Sequence, residues 1–124
     1  MTSRQKEDHQ LAKGIMVVQS SPASADQEDE YNRWYDEIHI PGIRAIPGFT
    51  GARRYRLVRD AGQVPDAIVH DYLAVYDLDA PDIAEPVGEL RARSAAGEMQ
   101  GSDALSRDPA PVVAVYQLVE DRSR

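Results

Sequence analysis

Four short stretches of apolar residues have the pattern of β-strands. Residues 14–20 form a valine-rich run that ends at the turn sequence SSPAS, which is typical of a buried strand. Residues 49–59 and 68–78 each alternate between two faces, and the turn-forming sequence between them predicts a hairpin. Residues 112–119 are apolar at nearly every position and indicate a last strand.

A helix is predicted between the first two strands, with acidic residues in its first turn, where the helix dipole favours negative charge. Each residue of an α-helix advances about 100°, so one arc collects apolar side chains, those of Tyr31, Trp34, Tyr35 and Ile38. His39 falls about 80° from Tyr31, at the border of this arc. Pro41-Gly42 is predicted to interrupt the helix and Pro47-Gly48 to end it.

A second, weaker helix is predicted over residues 83–96, interrupted early by Pro86 and ended at Gly97. The element order is then β-α-β-β-α-β, an α+β arrangement of the ferredoxin-like type. In it, two helices cover one face of a four-stranded antiparallel sheet. The other face would expose a large apolar patch. We therefore expect a second copy of the chain to pack there, sheet to sheet, as a homodimer.

The length of 124 residues predicts one folded domain. Residues 1–13 are polar and have neither a helical nor a strand period, which predicts a flexible N-terminal arm. Residues 14–124 contain all the predicted elements and form the domain.

Composition excludes several classes of function. The formal net charge is −7 and the pI about 4.8, so nucleic acids and anionic membranes are poor partners. The chain has no cysteine, which excludes disulfides, thiolate metal sites and cysteine nucleophiles. No apolar stretch has the length of a signal peptide or of a membrane span. We expect a cytoplasmic protein that does not bind membranes.

His39 is the first candidate for a catalytic group. It follows Tyr35 by one helical turn, so both side chains can face a pocket beneath the helix. An imidazole exchanges protons near neutral pH, as enolisation, aldol closure or isomerisation of a carbonyl compound requires. The alternative is that His39, just before Pro41-Gly42, binds a free carbonyl at the end of the helix.

Tyr35 and Tyr31 are candidates to donate hydrogen bonds to a developing enolate oxygen, and Trp34 is a candidate apolar wall of the pocket. The alternative for each is packing in the core, because aromatic residues spaced at i, i+3 and i+4 on a helix commonly face inwards.

Arg53 and Tyr55 share a face of the second strand with Phe49, while Arg54 and Arg56 point the other way. An arginine on the pocket side could bind a carboxylate, a phenolate or an enolate. A structural ion pair with an acidic neighbour explains a buried arginine equally well. The sequence leaves open which face the helices cover.

His70 and Tyr72 share a face of the third strand and are candidates for the polar part of the pocket lining, or for a dimer interface. His39, His70 and a carboxylate follow no recognised metal-ligand spacing. The chain also has no GxGxxG, GxxxxGK or GxSxG motif. We predict no metal and no cofactor.

Residues 34–57 resemble the dimeric α/β barrel superfamily, and within it the EthD-like proteins. The likeness rests on four groups of residues: Trp34-Tyr35, His39-Ile40-Pro41, Pro47-Gly48 and Arg53-Arg54-Tyr55. The resemblance implies a barrel formed by two subunits, each with a pocket between its sheet and its helices. Members include cofactor-free polyketide cyclases, quinone-forming monooxygenases, lactone isomerases and haem-binding enzymes. Nothing around His39 or His70 singles out a haem iron site.

Three functions are compatible with these observations. The first is a cofactor-independent cyclase or isomerase of secondary metabolism. It would act on a small, apolar, carbonyl-rich or phenolic molecule, with His39 as general acid and base. The second is a cofactor-free monooxygenase, in which the substrate anion itself reduces dioxygen. The third is a protein that binds such a ligand without transforming it.

Overall fold

The chain folds, in a computed structural model that describes residues 11–122, into four strands and two helices. The strands are β1 (Ala12–Ser20), β2 (Phe49–Arg56), β3 (Tyr72–Ala80) and β4 (Val112–Gln117). They form one antiparallel sheet in the order β2-β3-β1-β4, and β2 and β3 pair as the predicted hairpin. The α+β, ferredoxin-like prediction is confirmed.

The strand boundaries differ from the predicted ones mainly at β1 and β3. β1 begins at Ala12, so the sheet includes two residues of the predicted arm. Residues 1–10 of that arm lie outside the described residues. β3 begins at Tyr72 rather than at residue 68, because the turn before it extends further: the Ile68 N–H bonds the Pro65 carbonyl. His70 therefore lies in the loop before β3.

The first helix, α1, consists of three consecutive segments: Glu28–Trp34, Tyr35–His39 and Ile40–Arg44. The middle segment is a π-helical turn, in which the Ile40 N–H bonds the Tyr35 carbonyl five residues earlier. Pro41 has no N–H to donate, and the widened turn before it lets the helix continue. The prediction that Pro41-Gly42 interrupts the helix is wrong.

The second helix, α2 (Ala84–Ala95), closely follows its predicted limits. Pro86 does not interrupt it, because residues of the first helical turn have no intrahelical partner for their N–H groups. Gly97 follows the end of the helix with φ of 78°, a left-handed conformation that glycine adopts readily.

A bulge at the start of β2 decides which of its side chains face the helices. Phe49 pairs with Leu78, but the register shifts between Phe49 and Gly51, and Arg54 pairs with Ala74. Because of the extra residue, Phe49 and Arg54 share the helix-facing side. The prediction that Phe49 shares a face with Arg53 and Tyr55 is wrong.

The core lies between the helices and the sheet. The largest fully buried side chains include Tyr31 and Tyr35 of α1 and Tyr76 of β3. The other face of the sheet, here called the outer face, carries a central apolar group: Ile15, Val17, Leu73, Val75, Val112, Ala114 and Tyr116. No element among the described residues covers it, and Tyr116 is 57% exposed.

Candidate functional site

A cavity of about 330 Å³ opens between the two helices and the sheet. Met16 and Val18 of β1 and Val113 of β4 form its sheet side. The loop before β4 closes one end with apolar side chains, those of Met99, Leu105 and Pro111. The interior is therefore suited to an apolar molecule.

α2 supplies one wall of the cavity through residues spaced at i, i+3, i+4 and i+7: Val87, Leu90, Arg91 and Ser94. Val87 is buried, whereas Arg91 and Ser94 are exposed. The wall is therefore apolar inside and polar at the rim.

α1 supplies the opposite wall with Trp34, Tyr35, His39 and Ile43. The His39 ring stacks on Trp34, with 4.4 Å between centroids and 21° between planes, and meets Tyr35 edge-on at 5.1 Å. In a regular α-helix, residues five apart are separated by about 140°. The π turn brings Trp34 and His39 onto the same side, and such turns are frequent at functional sites.

His39 is partly exposed, but its Nδ1 is buried and has no hydrogen-bond partner among the described residues. Burial lowers the pKa of His39 to about 4, so the imidazole is neutral at neutral pH. The helix continues past His39 to Arg44, so His39 does not occupy the helix end that the alternative interpretation required.

The tyrosine hydroxyls of α1 converge on Ser20 rather than on the cavity. Ser20 Oγ lies 2.6 Å from the Tyr31 hydroxyl and 3.2 Å from that of Tyr35. Burial raises the pKa of Tyr31 to about 12, and it also raises the pKa of Tyr35. Tyr31 is a core residue, and Tyr35 contributes its ring to the cavity wall.

Arg54, not Arg53, is the arginine beneath α1. Its guanidinium carbon lies 4.4 Å from the ring centroid of Tyr35, and the rings of Tyr31 and Tyr72 are within 5.5 Å. Its Nη2 donates to Asn32 Oδ1 at 2.8 Å. The bulge in β2 turns Arg54 to this side, and alternation along the sequence gave no sign of it. These contacts satisfy Arg54 within the protein.

Arg53 and Tyr55 lie on the outer face, away from the cavity. Arg53 binds both carboxylate oxygens of Asp77, at 2.8 and 3.1 Å, and its Nε donates to the Tyr55 hydroxyl at 3.2 Å. The structure therefore does not bring these two candidates together with His39.

His70 and Tyr72 also lie outside the cavity lining. The His70 ring is held between Ser21 Oγ, 3.0 Å from Nδ1, and the Ala110 carbonyl, 2.7 Å from Nε2. The Tyr72 hydroxyl bonds the Glu28 carboxylate. Tyr72 thus connects the sheet to α1, and His70 connects three loop segments.

Three of the sequence candidates, His39, Tyr35 and Trp34, line the cavity. Sequence reasoning missed Arg91 and Ser94 at its rim. The signal for them was the helical spacing of residues 87, 90, 91 and 94 in the weakly amphipathic second helix.

Comparison of the chain with family models, with curated proteins and with solved structures gives no match. The fold and the cavity define the class: an α+β protein with a ferredoxin-like sheet and an apolar cavity of ligand size beneath its helices. The EthD-like resemblance remains a prediction. Between residues 11 and 122, no helix is long and apolar enough to cross a membrane. The same residues contain no group of three or more potential metal ligands.

Proposed function

We propose that this protein is a cofactor-independent enzyme, an isomerase or cyclase, that acts on a small, apolar, carbonyl-rich or phenolic molecule. The proposal rests above all on a neutral histidine, His39, in the wall of an apolar cavity. A neutral imidazole can accept a proton from substrate and return it.

The reaction begins with transfer of a proton from the carbon beside a carbonyl group to a nitrogen of His39. The electrons of the broken C–H bond form the enolate. In an isomerase the proton returns to a different carbon. In a cyclase the enolate carbon attacks a second carbonyl, and the oxygen of that carbonyl takes the proton.

The low pKa makes His39 a weak base, but one that is unprotonated throughout the neutral range. The developing enolate increases the basicity of His39 during the reaction, because a negative charge beside an imidazolium stabilises the imidazolium strongly in an apolar cavity. Trp34 and Tyr35 hold the imidazole ring in place through ring contacts. His39 is thus prepared for a substrate that becomes anionic during the reaction.

The size of the cavity limits the substrate. About 330 Å³ is near the lower end of the range of about 300–1,000 Å³ for ligand sites. A molecule of one or two rings fits this volume better than an extended polyketide chain.

We also propose that two copies pair through their outer faces. No described element covers that face, and its large apolar side chains on the edge strand β4 are exposed, with Val112 at 49%. Its charged residues balance in sign: Lys13 pairs with Asp79, and Arg53 with Asp77. Two such faces can therefore meet without the repulsion expected from the net charge of −7.

The function is tested with 2-tetralone, a two-ring ketone, in D₂O without oxygen. The protein should accelerate exchange of the protons beside the carbonyl above the rate in buffer, as followed by NMR. Binding is measured separately by quenching of Trp34, the only tryptophan of the chain, which lines the cavity.

Two outcomes would overturn the proposal. Saturable quenching of Trp34 without faster exchange indicates a binding protein. Oxygen uptake with 1-naphthol, together with no anaerobic exchange of tetralone, indicates a cofactor-free monooxygenase.

A further inference from the structure

We propose that the natural ligand is a carboxylic acid whose carboxylate is bound by Arg91 at the rim of the cavity, while its apolar part lies inside. The claim that the apolar end of the ligand reacts at His39 rests on the proposed function. The carboxylate site at Arg91 rests on the geometry of the rim alone.

Arg91 differs from the other charged groups near the cavity. It is the one lysine, arginine or acidic residue in the cavity lining, and it makes no ion pair with any residue between 11 and 122. By contrast, Arg93, two positions further along α2, binds Glu89 at 2.8 Å and does not line the cavity. The rim therefore presents an unpaired positive charge beside an apolar interior.

The groups around Arg91 favour a carboxylate over other anions. A guanidinium matches the two oxygens of a carboxylate, and the Ser94 hydroxyl, one turn later on the same face of α2, is a further donor. A phosphate of charge near −2 would be repelled more strongly by a protein of net charge −7.

The position of Arg91 also fixes the orientation of the ligand. A carboxylate inside the cavity would lose its hydration among apolar side chains. The carboxylate therefore stays at the rim on α2, and the apolar end extends towards Trp34 and His39 on α1. Arg91 is a specificity-determining residue in this arrangement.

The test compares 2-naphthoate with 2-naphthamide, which differ in charge but hardly in shape, by isothermal titration calorimetry. The wild-type protein should bind the acid about tenfold more tightly than the amide, the usual scale for a charge-assisted hydrogen bond. In Arg91→Gln the ratio should fall to about one. The matched control is Arg93→Gln, which removes the same charge from the same helix and should keep the wild-type ratio.

Equal affinities of the two probes in the wild type would overturn the proposal, as would a preference for the acid that persists in Arg91→Gln. Tighter binding of 2-naphthyl phosphate than of naphthoate would also overturn it. These binding measurements do not depend on any catalysis by the protein. If tetralone exchange fails while the acid preference holds, the carboxylate site stands and the proposed enzyme does not.

Discussion

Within residues 11–122, ring packing holds His39 in place. Its ring lies on Trp34, and its Nδ1 is buried without a hydrogen bond to any described residue. An unsatisfied buried polar atom costs about 1–3 kcal/mol of folding free energy. The wall of the cavity therefore contains a destabilising polar atom.

We expect His39→Phe to separate stability from function. Phenylalanine keeps a ring against Trp34 and removes the unpaired nitrogen, so the melting temperature should stay the same or rise. Acceleration of tetralone exchange should fall by about 10²-fold or more, the usual scale for losing a general base. A lower melting temperature with unchanged exchange would assign His39 to structure only.

The pH dependence of stability provides a second test of His39. Its pKa is lowered from 6.5 to about 4, so between these values the unfolded chain binds the proton more tightly than the folded one. The contribution of neutral His39 to the free energy of unfolding is therefore fully present above about pH 6.5 and is lost as the pH falls towards 4. From pH 7 to 4.5, the free energy of unfolding should fall by about 2 kcal/mol more in the wild type than in His39→Phe.

Urea denaturation at the two pH values measures this difference. The other histidines are present in both proteins, so their contribution cancels. Equal losses in the two proteins would mean that His39 titrates normally.

Tyr35→Phe should affect stability more than function. Its hydroxyl bonds Ser20 at 3.2 Å, away from the cavity, so removing it should cost about 1 kcal/mol of unfolding free energy. The ring that borders the cavity remains, and tetralone exchange should change less than about threefold, because only the hydroxyl is lost. Exchange reduced tenfold in a protein of normal stability would show that the hydroxyl reaches the substrate.

At the scale of elements, the sequence predicted the order of strands and helices. The spacing of apolar residues reflects which side of an element is buried, and turn residues mark where an element ends. It did not predict which side chains meet. The bulge in β2 reverses Arg53 and Arg54, and the π turn brings His39 onto Trp34. Both are insertions of one residue into a regular pattern, and tertiary packing rather than local propensity determines where they occur.

The turn between α1 and β2 gives a prediction about how the elements are joined. Gly48 has φ of 105°, and a Cβ there would lie 2.8 Å from the ring of Pro86 in α2. Gly48→Ala should therefore lower the free energy of unfolding by about 1–3 kcal/mol. The measurement is urea denaturation.

Gly88→Ala is the matched control. Gly88 lies within α2, and a Cβ there would meet no described side chain or neighbouring element within 4 Å, so alanine should stabilise the helix by about 0.5–1 kcal/mol. Equal effects of the two substitutions would contradict the close approach of Gly48 to Pro86.

At the scale of the whole molecule, the sheet separates two surfaces of different composition. The helix side holds the cavity, and the outer face holds apolar residues together with balanced ion pairs. The sequence predicted an uncovered face from the alternation of its strands. It could not show that the two candidates Arg53 and Tyr55 lie on that face, because the bulge determines their side.

We expect the wild type to sediment with about twice the chain mass of 13.8 kDa at micromolar concentration. Val17→Arg should give monomers, because Val17 lies near the centre of the outer face and a second copy there would bury the new charge against its own equivalent. Val119→Arg is the control: this residue follows β4, is 93% exposed and should leave the dimer intact. Binding of 2-naphthoate by the Val17 variant checks that its cavity is still formed. A wild type that sediments as a monomer, or a Val17 variant that remains dimeric, would exclude pairing through the outer face.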